Sequence, residues 1–334
     1  PLKIVEELIE QQPDLPVLYN VRGYLHDIFE HSEKAMADFE TALVKDPKFH
    51  PANFNLARLA IKSNNTQEAR NRLQRILDQI PNQPQALLAL AALFQREGKE
   101  IDALKLWEQA RENNPTAVEP RVHLARYYRS QNNATAALSM AQEAYDLAPY
   151  SPAAQFEYAV SKMSVGKPEE SVPVIKALVE RFPNSEKAME LLAQAYNQTS
   201  DAEALEATLG DIMQRFSETV IARVALARIH LKNKDFDAAK KLASELVQSE
   251  QGQADGYALL GDISFSQNAI PEALAAYQKA HEETPTTQSL LKLYAAHQQT
   301  GGGLEMLDGW LVEHDDDVPV RITKAIADIS TGRE

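Results

Sequence analysis

Apolar residues recur three and four positions apart in runs separated by short polar segments, as in Leu87, Leu90 and Phe94. This is the spacing of helices that bury one face. A proline follows such runs at Pro47, Pro81, Pro115, Pro149 and Pro183, each step being 34 residues. A small residue keeps the same step: Gly23, Ala57, Ala91, Ala125, Ala159, Ala193, Ala227, Gly261 and Ala295. Twelve residues after each comes a second, mostly small position: Ala35, Ala69, Ala103, Ala137, Ser171, Leu205, Ala239, Ala273 and Leu307.

Two antiparallel helices approach closely only where a side chain is small, with bulky residues packed around that point. The periodic small positions therefore mark helix crossings. Tyr19, Leu56, Leu90, Leu124, Tyr158, Leu192, Leu226 and Leu260 stand beside them on the first helix of each pair. Phe39, Leu73, Trp107, Ile175, Leu209, Tyr277 and Leu311 stand beside them on the second. Each proline ends a second helix, because it lacks the N–H that an interior turn needs. A fixed period with paired helices predicts a solenoid, in which every unit packs only on its neighbours.

The pattern resembles the tetratricopeptide repeat (TPR) family, most closely where Tyr257, Leu260, Gly261, Ala273, Tyr277, Ala280 and Pro285 follow one another. The resemblance implies an all-α TPR solenoid, a right-handed superhelix of helix-turn-helix repeats, forming one domain over 1–334. Residues 1–15 are expected to be the lone second helix of a partial repeat, 16–321 nine full repeats, and 322–334 the start of a further one. These ends predict a piece of a longer protein with uncapped apolar faces, among them the stripe Ile322, Ala325, Ile326 and Ile329, open to end-to-end self-association. Three units depart from the pattern. The sixth has Ser217 and the seventh Gln251 where proline is usual, and the ninth has Gly301, Gly302 and Gly303 in its turn. Looser packing or altered twist is expected there.

Composition narrows the function. A net charge of −14 repels a polyphosphate backbone, so a nucleic-acid partner is not expected. With no cysteine there is no disulfide, thiol nucleophile or Cys-ligated metal, which suits the cytoplasm and the periplasm alike. No apolar run reaches the length of a membrane span. There is no Gly-rich phosphate loop, His-Glu-x-x-His or nucleophile elbow, so neither an enzyme nor a cofactor is expected. The acidic run Asp315, Asp316 and Asp317 reads as a solvated turn, and Asn64-Asn65-Thr66 and Asn133-Ala134-Thr135 read as turn chemistry.

In TPR arrays the first helices line a concave groove, and the second, fifth, ninth and twelfth positions of each unit point into it. Carried onto this sequence, the resemblance implies a partner-binding set of Asn20, Tyr24, Phe54, Arg58, Val122, Arg126, Arg129, Phe156, Met163, Arg228, Asp262 and Phe265. Asp27, Glu190, Gln194, Asn197 and Lys292 fall at equivalent positions. Aromatic and arginine side chains are what protein interfaces enrich, so a protein or extended peptide is the expected partner. The arginines could equally meet the carboxylates of an acidic polysaccharide. The Lys and Asn positions with which chaperone-binding TPR proteins clamp a terminal carboxylate are not repeated here.

Residues 84–115 and 118–149 are similar to the TPR-repeat lipoproteins of PEP-CTERM systems. That resemblance implies a scaffold in the bacterial periplasm or envelope, associated with protein sorting by exosortase and with exopolysaccharide production or export. The alternative is a cytoplasmic TPR adaptor. The lipid-bearing cysteine of those lipoproteins has no counterpart among these residues.

Overall fold

The computed structural model describes residues 1–332, so the last two residues of the expected final segment lie outside the described ones. The chain packs as two compact units, Pro1–Lys167 and Pro168–Glu334, and among the described residues there are twenty α-helices and no strand. The first unit holds α1 (Leu2–Gln11), α2 (Pro16–Ile28), α3 (Ser32–Lys45), α4 (His50–Lys62), α5 (Thr66–Gln79), α6 (Pro84–Arg96), α7 (Glu100–Asn113), α8 (Glu119–Ser130), α9 (Ala134–Leu147) and α10 (Pro152–Ser164). The second holds α11 (Pro168–Arg181), α12 (Glu186–Thr199), α13 (Ala202–Arg215), α14 (Val220–Lys232), α15 (Phe236–Val247), α16 (Gln253–Ser266), α17 (Ile270–Glu283), α18 (Thr287–Gln298), α19 (Leu304–Glu313) and α20 (Val318–Thr331).

Local chemistry sets the helix ends. Proline occupies the first turn of α2, α4, α6, α8 and α10, where its missing N–H would have had no helical partner. Asn65, Asn133, Ser185, Asp201 and Asp235 accept a hydrogen bond from the backbone N–H three residues on, each such cap contributing about 1 kcal/mol. Pro47, Pro81, Pro115, Pro149 and Pro183 stand two residues beyond their second helices. The turn inside each of the first eight hairpins carries one left-handed residue: Glu30, Asn64, Gly98, Asn132, Gly166, Ser200, Lys234 and Asn268, with φ between 56° and 75°. The next backbone N–H then bonds back five residues, as Asn65 does to Ala60 and Asp235 to His230, closing the helix end in a Schellman turn.

The core lies at the predicted crossings. Ala35, Ala69, Ala103, Ala137, Ala239 and Ala273 are fully buried, with Ala57, Ala91, Ala125 and Ala227 against them from the first helices. Phe39 lies so near Gly23 that a Cβ there would stand 2.7 Å from its ring. In the first unit Trp107 is buried among Ala91, Leu124, Ala125 and Met140. In the second, Leu242, Leu246, Leu259 and Ile263 close around Ala227 and Ala239.

The three departing units differ from one another. At the seventh, where looser packing is expected, the chain is tighter: a Cβ on Gly256 would lie 2.6 Å from the backbone nitrogen of Val247, so only glycine lets α16 come this close to α15. At the ninth, Gly301 and Gly303 take positive φ, α19 is short, and Leu307 is fully buried at the small position. At the sixth, Leu205 replaces alanine at the crossing and α12, α13 and α14 leave a cavity of about 520 Å³.

Replacing Ala125 by Leu adds three carbons at a full crossing, and overpacking of this kind costs about 1–3 kcal/mol. Urea unfolding should show this loss; an unchanged midpoint would place the crossing elsewhere.

Candidate partner-binding face

The residues expected to meet a partner lie on the first helices, and most are already engaged within the protein. On α2, Tyr24 is exposed, and the Arg58 guanidinium from α4 lies 5.6 Å from the centre of its ring. The same guanidinium stands 2.6 Å from Asp27, a buried carboxylate that Lys62 also approaches at 3.6 Å. Asn20 accepts a hydrogen bond from the Asn55 amide at 2.9 Å. Phe54 turns inward against Leu73, Leu87 and Leu90.

The same arrangement recurs between α8 and α10. Arg126 donates to one oxygen of Glu157 at 2.6 Å and Arg129 to the other at 3.2 Å, while Glu157 itself is only 1% exposed. In the second unit Asp262 accepts from the Lys292 ammonium at 2.5 Å and from the Tyr277 hydroxyl at 2.8 Å. Burial and then the Asp262 charge push the Tyr277 phenol pKa upward, so it remains a donor. Phe265 packs on Ala273, Tyr277 and Leu293. Each pair joins successive first helices and removes a cation from the face that a partner would meet.

Two residues of the expected set are buried. Val122 packs with Ala144 and Ala154, and Met163 is likewise buried, so neither presents surface to a partner. Phe156 is half-buried on α10. Arg228 on α14 is exposed and makes no ion pair, and it borders the cavity at the sixth and seventh repeats. Glu157, Asn55 and Lys62 were not in the expected set. The signal for them is an acid or amide about one repeat from a groove arginine or asparagine.

Near the acidic run, Asp317 caps α20 and accepts from Thr287 at 2.5 Å and the Trp310 indole at 2.8 Å, so its carboxylate is a structural hub. The hydrogen bond from Thr287 is the main cause of its lowered pKa. Among the described residues no group of three His, Asp or Glu side chains is placed to hold a metal ion. No described helix is long and apolar enough to cross a membrane.

Paired helices in a 34-residue register, closed at small residues and with a first-helix face in each unit, define a helical-repeat binding scaffold. Family models described as tetratricopeptide repeat match residues 31–93 and 88–152, and one described as a tetratricopeptide repeat-like domain matches 148–297. The chain thus carries tetratricopeptide repeats across 31–297 and folds as an all-α TPR solenoid, the class that generally acts as a scaffold for protein–protein interaction. Among similar solved structures, the type IV pilus biogenesis factor PilW shares 16% identity at a TM-score of 0.53, over 61% of this chain and 94% of its own. Pseudomonas aeruginosa pilF shares 16% identity at 0.52, over 62% and 94%. A tetratricopeptide repeat protein from Parabacteroides merdae shares 18% identity at 0.48, over 88% and 98%. At these identities the likeness is one of fold. No curated protein matches the chain.

Removing Arg126 and Arg129 together strands a buried carboxylate, a change that costs about 3–5 kcal/mol. Adding Glu157→Leu to that variant should return most of the loss in urea unfolding; equal stability of all three proteins would mean that the pairs carry no coupling. A second expectation concerns pH. His123 stacks on Trp107 with ring centres 5.4 Å apart, and burial, then the Arg126 charge, lowers its pKa from 6.5. The unfolded chain therefore binds this proton first, and stability should fall as pH drops below 6.5. His123→Gln should flatten that slope in thermal melts taken at descending pH.

Proposed function

We propose that the chain is a non-catalytic scaffold that holds protein partners on the exposed faces of its first helices. Its setting is the bacterial envelope, in protein sorting or in exopolysaccharide production or export. The observation that carries the protein-partner reading is the state of the first-helix arginines. Arg58, Arg126 and Arg129 sit on buried acids of the neighbouring first helix, so the face offers ordered aromatic, amide and guanidinium edges instead of a field of free positive charge. A protein surface can use such edges without breaking the pairs. An acidic polysaccharide would need the cations released, stranding Asp27 and Glu157 without partners. The setting rests on the similarity of residues 84–115 and 118–149 to PEP-CTERM TPR lipoproteins.

Cross-linking by lysine-reactive reagents in intact cells of the source organism, followed by mass spectrometry, tests both parts. The expected result is envelope proteins joined to first-helix lysines such as Lys62 and Lys232. Cytoplasmic proteins alone would refute the setting, and links confined to second helices would refute the face.

The exposed apolar residues Ile4 and Leu8 on α1 and Ile322, Ile326 and Ile329 on α20 support self-association of this chain. Light scattering should show a mass that rises with concentration; a monomer throughout would remove that part of the proposal.

A further inference from the structure

The cavity of about 520 Å³ lies wholly within the second unit, between α12, α13 and α14, and falls in the size range of sites that bury a ligand. Its apolar lining comes from Ala193, Leu209, Ile212, Ala222, Ala225 and Ile229. It lies in a hairpin that carries Leu205 at the crossing position where most other hairpins have alanine, and Leu205 is among its lining residues. Ile221 continues the apolar surface at its edge and is 65% exposed.

The rim is charged. Arg228 and Lys232, one turn apart on α14, face the cavity, and neither makes an ion pair, whereas Arg58, Arg126, Arg129 and Lys292 are all held by carboxylates. The lining also includes Glu190 on α12 and Glu206 on α13. Burial, reinforced by Glu186, raises the Glu190 pKa. Gln194, Asn197 and Asn233 also line it, and their side-chain amides make no hydrogen bond among the described residues.

We propose that this cavity receives one apolar side chain of a partner's peptide segment, with a carboxylate one residue away held by Arg228 and Lys232 and the segment's amides met by Gln194 and Asn197. The proposal rests on the scaffold reading and names the recognition chemistry within it. A bulky aliphatic or aromatic side chain matches the lining. One carboxylate matches the two cations, while a longer acidic tract would meet the repulsion of a chain of net charge −14. A peptide, unlike an acyl chain, also supplies partners for the amides.

The test uses the full chain with labelled Ile methyl groups, observed by NMR while titrated with the capped peptide Gly-Ser-Leu-Asp-Ser-Gly. Control probes carry Asn for Asp or Ser for Leu, and decanoate is titrated separately. The Leu-Asp peptide should shift the Ile212 and Ile229 methyls and bind about tenfold more tightly than the Asn peptide, the scale of one charge-assisted hydrogen bond. The exposed pair Arg228→Gln and Lys232→Gln should erase the Asp preference and keep the Leu preference. Ala225→Trp, which fills the cavity, should erase the Leu preference, with its melting curve checked for folding. No shift at millimolar peptide, or an Asp preference that survives in the charge variant, would overturn the proposal. So would decanoate binding as tightly as the peptide, since that assigns the cavity to an acyl ligand. If these fail while cross-linking still finds partners on first helices, the scaffold reading stands and this site alone is withdrawn.

Discussion

Everything in this protein depends on two helices being able to touch at one small residue every 34 positions. A hairpin carrying Leu, Tyr, Phe and Trp on its inner faces closes most tightly where the crossing point itself is Ala, Gly or Ser. Once closed, it buries those large residues around the contact, as Trp107 is buried beside Ala103. Since each crossing also fixes the rotation of the first helix, it decides which residues face the next unit and which face outward. The Schellman turns then hold every hairpin at the same length, so the register is copied from one repeat to the next.

That register gives the charged groups their place. A carboxylate on one first helix and a guanidinium on the next arrive within ion-pairing distance because their helices are held in parallel stacks. Asp27 with Arg58, Glu157 with Arg126 and Arg129, and Asp262 with Lys292 are three instances. Burying the acid, as in Asp27 and Glu157, makes those pairs conditional on their cations, because an unpaired carboxylate in the interior costs far more than an unpaired arginine at the surface. The pairs thus stiffen the first-helix face and quieten its charge. The hairpin with Leu205 at the crossing breaks the pattern and borders apolar space beside cations that no acid holds among the described residues.

Much of the fold was legible in the sequence, because the helix period, the small positions and the prolines are local signals. The turn residues were legible too: Asn64, Gly98, Asn132, Gly166 and Asn268 are residues that accept left-handed backbone, although Glu30 and Lys234 at the same register are not. The face was legible only in part. Position within the unit placed Tyr24, Arg58, Arg126 and Arg228 on exposed surface, but it also picked Val122 and Met163, which are buried. Register alone cannot tell whether a groove position meets solvent or the adjoining helix. Nor can it show that Glu157 serves two arginines, since that pairing spans separate repeats and depends on three-dimensional stacking. The cavity was not signalled, because Leu205 stands in a column that carries leucine again at Leu307, where no comparable space opens among the described residues.

The account's central claim is that buried acids of neighbouring repeats, Asp27 and Glu157, hold Arg58, Arg126 and Arg129, while Arg228 on α14 has no ion pair among the described residues. Solvent exchange of arginine side-chain N–H protons, measured by NMR, reads this directly. The account predicts slow exchange for the Nε proton of Arg126, which is bonded to Glu157, and fast exchange for Arg228. Equal, fast exchange at both positions would contradict it, and would return the first-helix face to an array of free cations.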